Sequence, residues 1–274
     1  MEKRNAQGLT EKEFLEQYNP GDYERPSVTV DMMVLRMKEK LNGLQILLIQ
    51  RKDHPCIGQW ALAGGFVNID ESAYEAACRE LQEETGLTDV YLEQIYTMSQ
   101  PNRDPRMRII DIAYVALMPY GANSEAVAGD DANDALWFDI YFNDGRLHLY
   151  NDERNIRIEY DLKQKVFTIG KIKIHNYVPL LTSEEALAFD HADIILEGLM
   201  RMRNKVMYTD IAFNLVPEEF TLVDLQKVYE EILAKELYKK NFREQIGDKV
   251  IEIGKKAKPI TSQRTAKLYK YKGC

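Results

Sequence analysis

Residues Gly65–Leu87, GFVNIDESAYEAACRELQEETGL, hold a glycine, a separate glutamate and an arginine–glutamate cluster at fixed distances along the chain. In a helix, Glu80, Glu83 and Glu84 project from one face, because positions i, i+3 and i+4 are neighbours there. Such close carboxylates repel one another unless a cation lies between them. Hard oxygen ligands favour magnesium or manganese, which also bind phosphate oxygens. The stretch therefore predicts a site for a divalent metal that can bind phosphate oxygens.

The spacing of this segment resembles the Nudix box, which is Gly, five residues, Glu, seven residues, then Arg-Glu-apolar-x-Glu-Glu-x-Gly-apolar. Every defined position matches. A solvated helical face would explain a lone Glu-x-x-Glu-Glu, since glutamate favours exposed helices, but the complete pattern favours a site. The resemblance implies a magnesium- or manganese-dependent Nudix hydrolase. It assigns catalysis to Glu83, Glu84, Glu80, Arg79 and Glu71, and the metal to Glu80, Glu83, Glu84 and Gly65.

Alternating and apolar runs around the box predict strands, and the box itself predicts one helix. The helix is expected over Asp70–Thr85, with Asp70 as its N-cap and Gly86 as its stop. One helix among strands favours an α+β fold, and the Nudix resemblance makes it an α/β/α sandwich with a mixed sheet. The predicted strands are Ser27–Met37, Leu44–Arg51, Trp60–Phe66, Val90–Ser99, Arg108–Pro119 and Leu136–Ile140.

The pattern changes after Tyr141. Leu147–Tyr150, Asn155–Tyr160 and Val166–Ile174 alternate apolar and polar residues, with a turn expected at the sequence DLKQK between the last two. They predict a small β-meander added to the edge of the first domain. We therefore divide the chain into a lead-in (1–26), a Nudix domain (27–140), a β-rich connector (141–182) and a C-terminal domain (183–274).

Helical patterns dominate the C-terminal domain. Helices are expected at Thr182–Glu185, Phe189–Arg203, Phe220–Glu236 and Lys239–Gly247, followed by strands at Val250–Ile253 and Lys267–Tyr271. Three main helices followed by a hairpin are the order of a winged helix-turn-helix.

The charge of the chain is unevenly distributed. The net charge is −8, but eleven basic and three acidic residues from Lys239 to Cys274 give that segment +8, which leaves −16 elsewhere. A basic end of this kind points to nucleic acid, which the winged-helix order makes double-stranded DNA, and a solvated basic tail is the alternative. Helical readers of DNA usually act as homodimers. The predicted base contacts are Asn241, Arg243 and Gln245, and the other predicted DNA contacts are Lys240, Lys255, Lys256 and Lys258.

A second site-like segment is Gln100–Arg108, QPNRDPRMR. Arg103, Arg106 and Arg108 are placed to bind phosphate or carboxylate oxygens of a substrate; local pairing of Arg103 with Asp104 is the alternative. A general base is sought in the acidic loop before the last Nudix strand, although most such residues are only solvated. Its candidates are Glu125, Asp130, Asp131 and Asp134; we interpret His175 and His191 as structural.

Three further stretches resemble one subfamily, the Nudix-related transcriptional regulators. They are RDPR, LAFDHADII at Leu187–Ile195, and AFNLVPEEFTLVDLQKVYE followed by KKNFREQI. The resemblance implies a Nudix sensor domain before a winged helix and an ADP-ribose-like ligand. Shorter relatives lack the 141–182 connector. Many relatives also have a degraded box, whereas this one is complete.

Two functions remain open from sequence. The first is a magnesium-dependent hydrolase of a nucleoside diphosphate linked to another moiety, such as ADP-ribose, coupled to a winged helix. The second is a DNA-binding regulator that senses such a ligand without significant turnover. A cytoplasmic protein is expected, because the N-terminus lacks an apolar secretory segment and no run is long enough for a membrane span. The three cysteines have no metal-ligand spacing and are expected to be reduced.

Overall fold

The central feature of the computed structural model is one large mixed sheet; the model describes residues 2–86, 88, 90–122, 132–143 and 145–273. Within these residues ten strands form the sheet. Eight lie in the order β10-β9-β8-β7-β2-β1-β6-β5, with β3 beside β2 and β4 beside β1. The strands are β1 (Ser27–Met37), β2 (Leu44–Arg51), β3 (Trp60–Ala61), β4 (Ala63–Phe66), β5 (Tyr91–Met98), β6 (Ile109–Leu117), β7 (Ala132–Asn143), β8 (Arg146–Asn151), β9 (Ile156–Ile169) and β10 (Ile172–Leu181).

Both faces of this sheet are covered by helices. Successive side chains of a strand point to opposite faces, so β1 sends Met32 to one core and Met33 to the other. Helix α2 (Ala73–Thr85) closes the first face with Ala77, and helix α3 (His191–Lys205) closes the second with Ile195. Strands β1 and β6 run parallel while β1 and β2 run antiparallel. The predicted α/β/α sandwich with a mixed sheet is confirmed.

Helix α2 begins later than predicted. Its N-cap is Ser72, whose hydroxyl accepts from the Glu75 amide, while the Glu75 carboxylate accepts from the Ser72 amide. This reciprocal capping box satisfies two amide groups that would otherwise lack partners. The prediction of Asp70 as the cap was therefore wrong. Gly86 ends the helix as expected, at φ +68°, a conformation that glycine adopts without strain.

The β-rich connector continues the sheet beyond β7. Strands β8 and β9 pair antiparallel, and β10 pairs with β9 along its whole length as an edge strand. The turn predicted at DLKQK was wrong, because β9 runs unbroken through it and the chain reverses at Gly170-Lys171. Gly170 has φ +61°, which suits a tight hairpin turn, whereas DLKQK contains no glycine.

The C-terminal part is a winged helix. After α3 come a short 3-10 turn (Ile211–Leu215), β11 (Phe220–Thr221), helix α4 (Leu222–Leu233), helix α5 (Lys239–Ile246), and the wing strands β12 (Val250–Ala257) and β13 (Ala266–Tyr271). The short strands form a second sheet in the order β11-β13-β12. Fold class and helix order are confirmed, whereas the predicted helix at Thr182–Glu185 is absent.

Helix α1 (Glu11–Gln17) lies in the N-terminal segment that was predicted only to be a lead-in. Thr10 and Glu13 form a capping box at its start, and the spacing Thr-x-x-Glu could have revealed it. In the part of the chain that the structure describes, no helix is long and apolar enough to cross a membrane.

Candidate functional site

A polar cleft of about 820 Å³ lies between α2, β4, the loop after β5 and the segment that leads into α3. These four parts of the chain are far apart in sequence, and the fold of the sheet brings them together to form the cleft. The box supplies Gly65, Arg79, Glu80, Glu83 and Glu84, and the later segments supply Arg103, Arg106, Phe189 and His191.

Arg79 organises the acidic side of the cleft. Its guanidinium donates to both carboxylate oxygens of Glu71, at 3.2 and 2.8 Å, and to Glu80 Oε1 at 2.7 Å. It also lies 3.4 Å from Glu83 Oε2 and donates to the Phe66 carbonyl. The bonds from Arg79 lower the pKa of Glu71 to about 2. Arg79, itself held by Glu71, therefore fixes the position of the Glu80 carboxylate.

The predicted metal ligands line one wall of the cleft. Glu84 is buried, Glu80 is mostly buried and Glu83 is exposed. Burial raises the pKa of Glu80, with Arg79 acting in the opposite direction. A side chain at Gly65 would overlap the Glu80 carboxyl group, whose Cδ would lie 2.7 Å from the added Cβ. Gly65 thus leaves space for the Glu80 carboxylate to lie directly against the backbone of β4.

The donor set suits a hard divalent cation. Its members are the carboxylate oxygens of the three glutamates and the backbone carbonyl oxygen of Gly65. Magnesium and manganese prefer oxygen ligands of this kind. Among the described residues, no three His, Cys, Asp or Glu side chains are gathered closely enough to form a metal site as they stand. The Glu80 carboxylate is bonded to Arg79 instead. The assignment of the metal to Glu80, Glu83, Glu84 and Gly65 therefore stays a prediction.

Arg103 lies deep in the cleft, and its side chain is only 4% exposed. It makes a bidentate pair with Asp190 at 2.9 and 2.7 Å and lies 3.6 Å from Asp31. The local pairing with Asp104 that we considered does not occur; Asp104 instead pairs with Arg106 at 2.7 Å. Arg103 thus links the loop after β5 to Asp190, the N-cap residue of α3.

The other two predicted arginines lie in different surroundings. The Arg106 guanidinium lies 5.4 Å from the Phe66 ring and 5.7 Å from the Phe189 ring, at the mouth of the cleft. Arg108 donates to the carbonyls of Ser99 and Gln100 and is not among the residues that line the cleft. The structure therefore brings Arg103 and Arg106 to the site and holds Arg108 against its own loop.

A buried acidic pair, Asp31 and Asp111, lies beneath Arg103 and was not predicted from the sequence. Asp111 has no exposed surface, and Thr29 donates to it at 3.0 Å. Burial, and then the charge of Asp31, raise the pKa of Asp111 far enough to keep it protonated at neutral pH. A single aspartate inside each of the apolar strands β1 and β6 is the sequence pattern that could have revealed this pair, because buried carboxyl groups need partners.

His191 completes the floor of the cleft. Its Nδ1 atom accepts from the Leu62 amide at 2.8 Å, and its Nε2 atom lies 3.6 Å from Asp31. Burial lowers the pKa of His191, so the ring is neutral at pH 7 with its proton on Nε2. These contacts fit the structural role that we expected for His191.

Phe189 stands at the boundary between the cleft and α3. Its backbone has φ +49°, which costs a residue with a side chain about 1–3 kcal/mol. Its ring lies between the guanidinium groups of Arg51 and Arg106, at 5.0 and 5.7 Å. Strain of this kind persists where the surroundings fix it, and here it turns an aromatic face into the cleft.

The candidates for a general base are only partly described. Asp134 is half-buried and lies 3.5 Å from Arg154. It is absent from the cleft lining. Glu125, Asp130 and Asp131 lie outside the described residues, so their assignment remains a prediction.

The predicted DNA-binding residues lie on α5 and on the wing. Phe242 and Ile246 bury one side of α5, with Phe242 packed edge-on against Tyr229 of α4. Asn241 and Arg243 are exposed, while Gln245 donates to the Met207 carbonyl at 2.9 Å. The predicted lysines are exposed as well; Lys240 lies 3.9 Å from Glu244, Lys255 lies 3.4 Å from Glu219, and Lys256 and Lys258 lie on the wing.

Asp193, in the first turn of α3, should make stability depend on pH. Burial, and then Asp190, raise its pKa from 3.8 to about 6. The folded state therefore holds a proton that the unfolded chain releases, so the stabilisation is present below pH 4 and is lost as pH rises through 6. Asp193→Asn should raise the free energy of unfolding at pH 8 by about 1–2 kcal/mol and change it little at pH 4. Urea unfolding at both pH values measures this, and an equal effect at both would contradict it.

The fold and the cleft define a Nudix domain joined to a winged-helix DNA-binding domain. Comparison with known families agrees. The NUDIX domain matches residues 25–141, and the NrtR DNA-binding winged helix domain matches residues 212–271.

Two known proteins resemble the chain over most of its length, and a third resembles half of it. The ADPR responsive transcriptional repressor NtrR of Acinetobacter baylyi is 33% identical over 96% of this chain and 88% of its own length. The crystal structure of Shewanella oneidensis NrtR complexed with a 27mer DNA superposes with a TM-score of 0.61 at 27% identity, over 89% of this chain and 93% of that one. An ADP-ribose pyrophosphatase of Methanocaldococcus jannaschii is 40% identical over 50% of this chain and 75% of its own. The chain belongs to the NrtR family of Nudix proteins with a winged-helix DNA-binding domain.

Proposed function

We propose that this protein is a homodimeric transcriptional regulator that binds DNA through its winged helix and ADP-ribose, or a related nucleoside diphosphate, in its Nudix cleft. One observation carries the proposal. Arg103, inside the cleft, is paired with Asp190, the N-cap residue of the helix α3 that leads into the winged helix. Of the two functions that the sequence left open, the comparisons favour the regulator.

The start of α3 depends on the cleft. An N-cap aspartate usually accepts a hydrogen bond from its own helix, but the Asp190 side chain makes no such bond and is held by Arg103. The preceding segment is hydrogen-bonded to β3 through the backbone. The Trp60 amide donates to the Ala186 carbonyl, and the Ala188 amide donates to the Trp60 carbonyl. A ligand that draws Arg103 towards its own phosphate oxygens would compete with Asp190 for the same guanidinium.

The far end of α3 contacts the winged helix. Arg203 donates to the Ile232 carbonyl at the end of α4, at 3.1 Å, and its guanidinium lies 4.3 Å from the Phe142 ring of β7. The side chains of α3, α4 and α5 belong to one hydrophobic core. A shift or rotation of α3 would therefore change the position of α5 relative to DNA. A ligand-controlled DNA-binding protein needs this kind of coupling between its two sites.

The ligand chemistry follows from the cleft walls. The Glu80–Glu84 wall suits a divalent cation, and a bound magnesium ion would supply positive charge to the phosphate oxygens. The opposite side offers Arg106 for anionic oxygens, and the rings of Phe66 and Phe189 for stacking. An anionic diphosphate with an attached planar base matches both walls.

The proposal is tested by DNA binding with and without ADP-ribose. Wild-type protein should bind DNA from the neighbourhood of its own promoter in a salt-dependent manner, and ADP-ribose should change the affinity. Arg243→Ala should weaken binding by about 1–3 kcal/mol. Arg25→Ala, which removes the same charge from the N-terminal segment, should leave binding unchanged. Wild-type protein that binds no such DNA at low salt, or whose binding ignores every nucleoside diphosphate, would overturn the proposal.

Hydrolysis of the ligand is a second candidate function, favoured by the complete box. Arg79 already donates hydrogen bonds to both Glu71 and Glu80, so these three side chains are held together. In that case wild-type protein should release AMP from ADP-ribose in the presence of magnesium. Glu83→Gln should abolish the release, and Glu16→Gln, on the exposed side of α1, should preserve it. The absence of AMP above the level of the Glu83 variant would leave a sensor without turnover.

A further inference from the structure

A second cavity, of about 360 Å³, lies where the Nudix sheet, α3 and α4 meet. Its walls come from the end of β7, from α3, and from α4 with the segment that follows it. Among the described residues, none lines both this cavity and the Nudix cleft. Small-molecule sites in proteins have volumes from about 300 Å³ upwards. The cavity is therefore large enough for a ligand, but for one much smaller than a dinucleotide.

The inner walls of this cavity are apolar. Leu44, Ile140, Leu199 and Ile232 line it, and each of them is buried. Phe142, which is buried as well, lines the same space. An apolar group that enters the cavity leaves water, and its burial is favourable. A wholly polar ligand would lose its hydration there without an equivalent return. The walls therefore suit a ligand that is largely apolar.

Arg203 of α3 brings a positive charge to this apolar space. Its Nε atom donates to the Ile232 carbonyl at 3.1 Å, and a terminal nitrogen donates to the Phe142 carbonyl. These bonds use two of the five N–H groups of a guanidinium. The other N–H groups have no hydrogen-bond partner among the described residues. Burial disfavours the charge and lowers the pKa of Arg203.

No carboxylate compensates this charge in the part of the chain that the structure describes. Arg79, Arg103 and Arg106 of the Nudix cleft differ, since each of them pairs with a carboxylate. Charges that are withdrawn from water in proteins are normally paired. A half-buried guanidinium that lacks a countercharge and lines a cavity therefore indicates a place for an anionic ligand.

Glutamates at the rim of the cavity do not turn towards Arg203, because they have partners of their own. Glu231 pairs with Lys227 at 2.6 Å. Glu230 accepts from the Gln226 side chain at 2.9 Å and from a backbone amide of the segment after α4 at 3.0 Å. The other charged residues of the rim are Lys235 and Glu236, which carry opposite charges. Glutamates repel a phosphate with two charges more than a carboxylate with one, so the rim favours a singly charged anion.

We propose that this cavity binds a small apolar carboxylic acid, whose carboxylate accepts hydrogen bonds from Arg203 while its apolar part lies against Leu199 and Ile232. A planar carboxylate matches the N–H pairs of a guanidinium in a bidentate manner. The Arg203 guanidinium is held for this purpose, since it lies 4.3 Å from the centre of the Phe142 ring. The site is distinct from the Nudix cleft. A ligand there would contact β7, α3 and α4 at once and would stabilise their arrangement.

Calorimetric titration of the full-length protein with benzoate tests the proposal. Benzoate should bind saturably, and benzamide, which has nearly the same shape but no charge, should bind at least about tenfold more weakly. Arg203→Met should weaken benzoate binding at least about tenfold, because it removes the charge but keeps an apolar side chain. The matched control is Arg201→Met, which removes a charge from the same helix where Arg201 pairs with Glu197. It should leave benzoate binding unchanged.

A second variant leaves Arg203 in place and serves if Arg203→Met fails to fold. Asn143 lines the cavity and is exposed, so a larger side chain is tolerated by the fold. Asn143→Trp should narrow the cavity and weaken benzoate binding by about tenfold or more. The far-ultraviolet circular dichroism of this variant should match that of the wild type.

Three outcomes would overturn the proposal: no saturable binding of benzoate to the wild type, equal binding of benzamide, or benzoate binding that both variants retain in full. In the last case, displacement of benzoate by ADP-ribose would place the carboxylate in the Nudix cleft. The proposed function is measured separately, because ADP-ribose should bind the wild type and Asn143→Trp equally. It therefore survives if the second cavity binds no acid.

Discussion

Arg103→Ala is expected to lower the free energy of unfolding by about 3–5 kcal/mol, because it leaves a buried carboxylate without its partner. The side chain of Arg103 is almost completely enclosed, and Asp190 depends on it for two hydrogen bonds. Asp31 is 3.6 Å away, so the charges of Asp31 and Asp190 would lie close together without a countercharge. Urea unfolding measures the loss.

Arg108→Ala is the matched control, since Arg108 belongs to the same loop but donates only to two backbone carbonyls at its surface. Its loss should cost no more than about 1 kcal/mol. A double variant, Arg103→Met with Asp190→Leu, removes both charges and should recover a large part of the stability. DNA binding by this variant should no longer respond to ADP-ribose. If DNA binding by this variant still responds fully to ADP-ribose, the Arg103–Asp190 pair contributes to stability but does not transmit occupancy of the cleft.

The adjacent glycines of β4 should give opposite phenotypes. A Cβ atom at Gly64 would overlap the carbonyl oxygen of Val30 and would lie 2.9 Å from the Cα atom of Asp31, both of which are backbone atoms. Gly64 also has φ +158°. Backbone in a strand pair cannot move aside, so Gly64→Ala should destabilise the fold by several kcal/mol. The three atoms nearest to a side chain at Gly65 would all belong to the end of the Glu80 side chain. Gly65→Ala should therefore fold, with its Glu80 carboxylate displaced.

The functional loss in Gly65→Ala should be large while its melting temperature stays close to that of the wild type. Magnesium-dependent binding of ADP-ribose, measured by calorimetry, should weaken at least about tenfold, because displacement of the Glu80 carboxylate removes one of the oxygen ligands. Binding in the absence of magnesium is the internal control and should change less. Wild-type magnesium dependence in this variant would exclude Glu80 from the metal site.

The box could be predicted because its information is local. The i, i+3 and i+4 spacing of the glutamates survives in α2, and Gly86 ends that helix. The winged helix followed from the order of its helices and hairpin, and α4 begins at Thr221, whose side chain accepts from the Asp224 amide. The N-terminal cap of α2 was assigned to the wrong residue, because Asp70 and Ser72 are both good caps and only the reciprocal bond with Glu75 decides between them.

The floor of the cleft could not be predicted in the same way. The partner of Arg103 lies 87 residues away, and Asp104 next to it offered a simpler explanation. The helix expected at Thr182–Glu185 fails for a similar reason, since the residues just after it pair with Trp60 of β3. Pairing with a distant strand outweighs local helix propensity. The long hairpin was misjudged because residues 163–165 look like a turn by polarity but lack a glycine.

Helix α3 has a thermodynamic consequence beyond its role as a connector. One continuous hydrophobic core runs from Met33 and Leu35 of the sheet, through Ile195 and Leu199 of α3, to the side chains of the winged helix. Removal of the C-terminal part would leave that face of the sheet in water. The two domains therefore form a single cooperative unit, which should melt in one calorimetric transition and resist proteolytic separation. In the proposed function, occupancy of the cleft would therefore reach the winged helix through this shared core, without a flexible linker between the two.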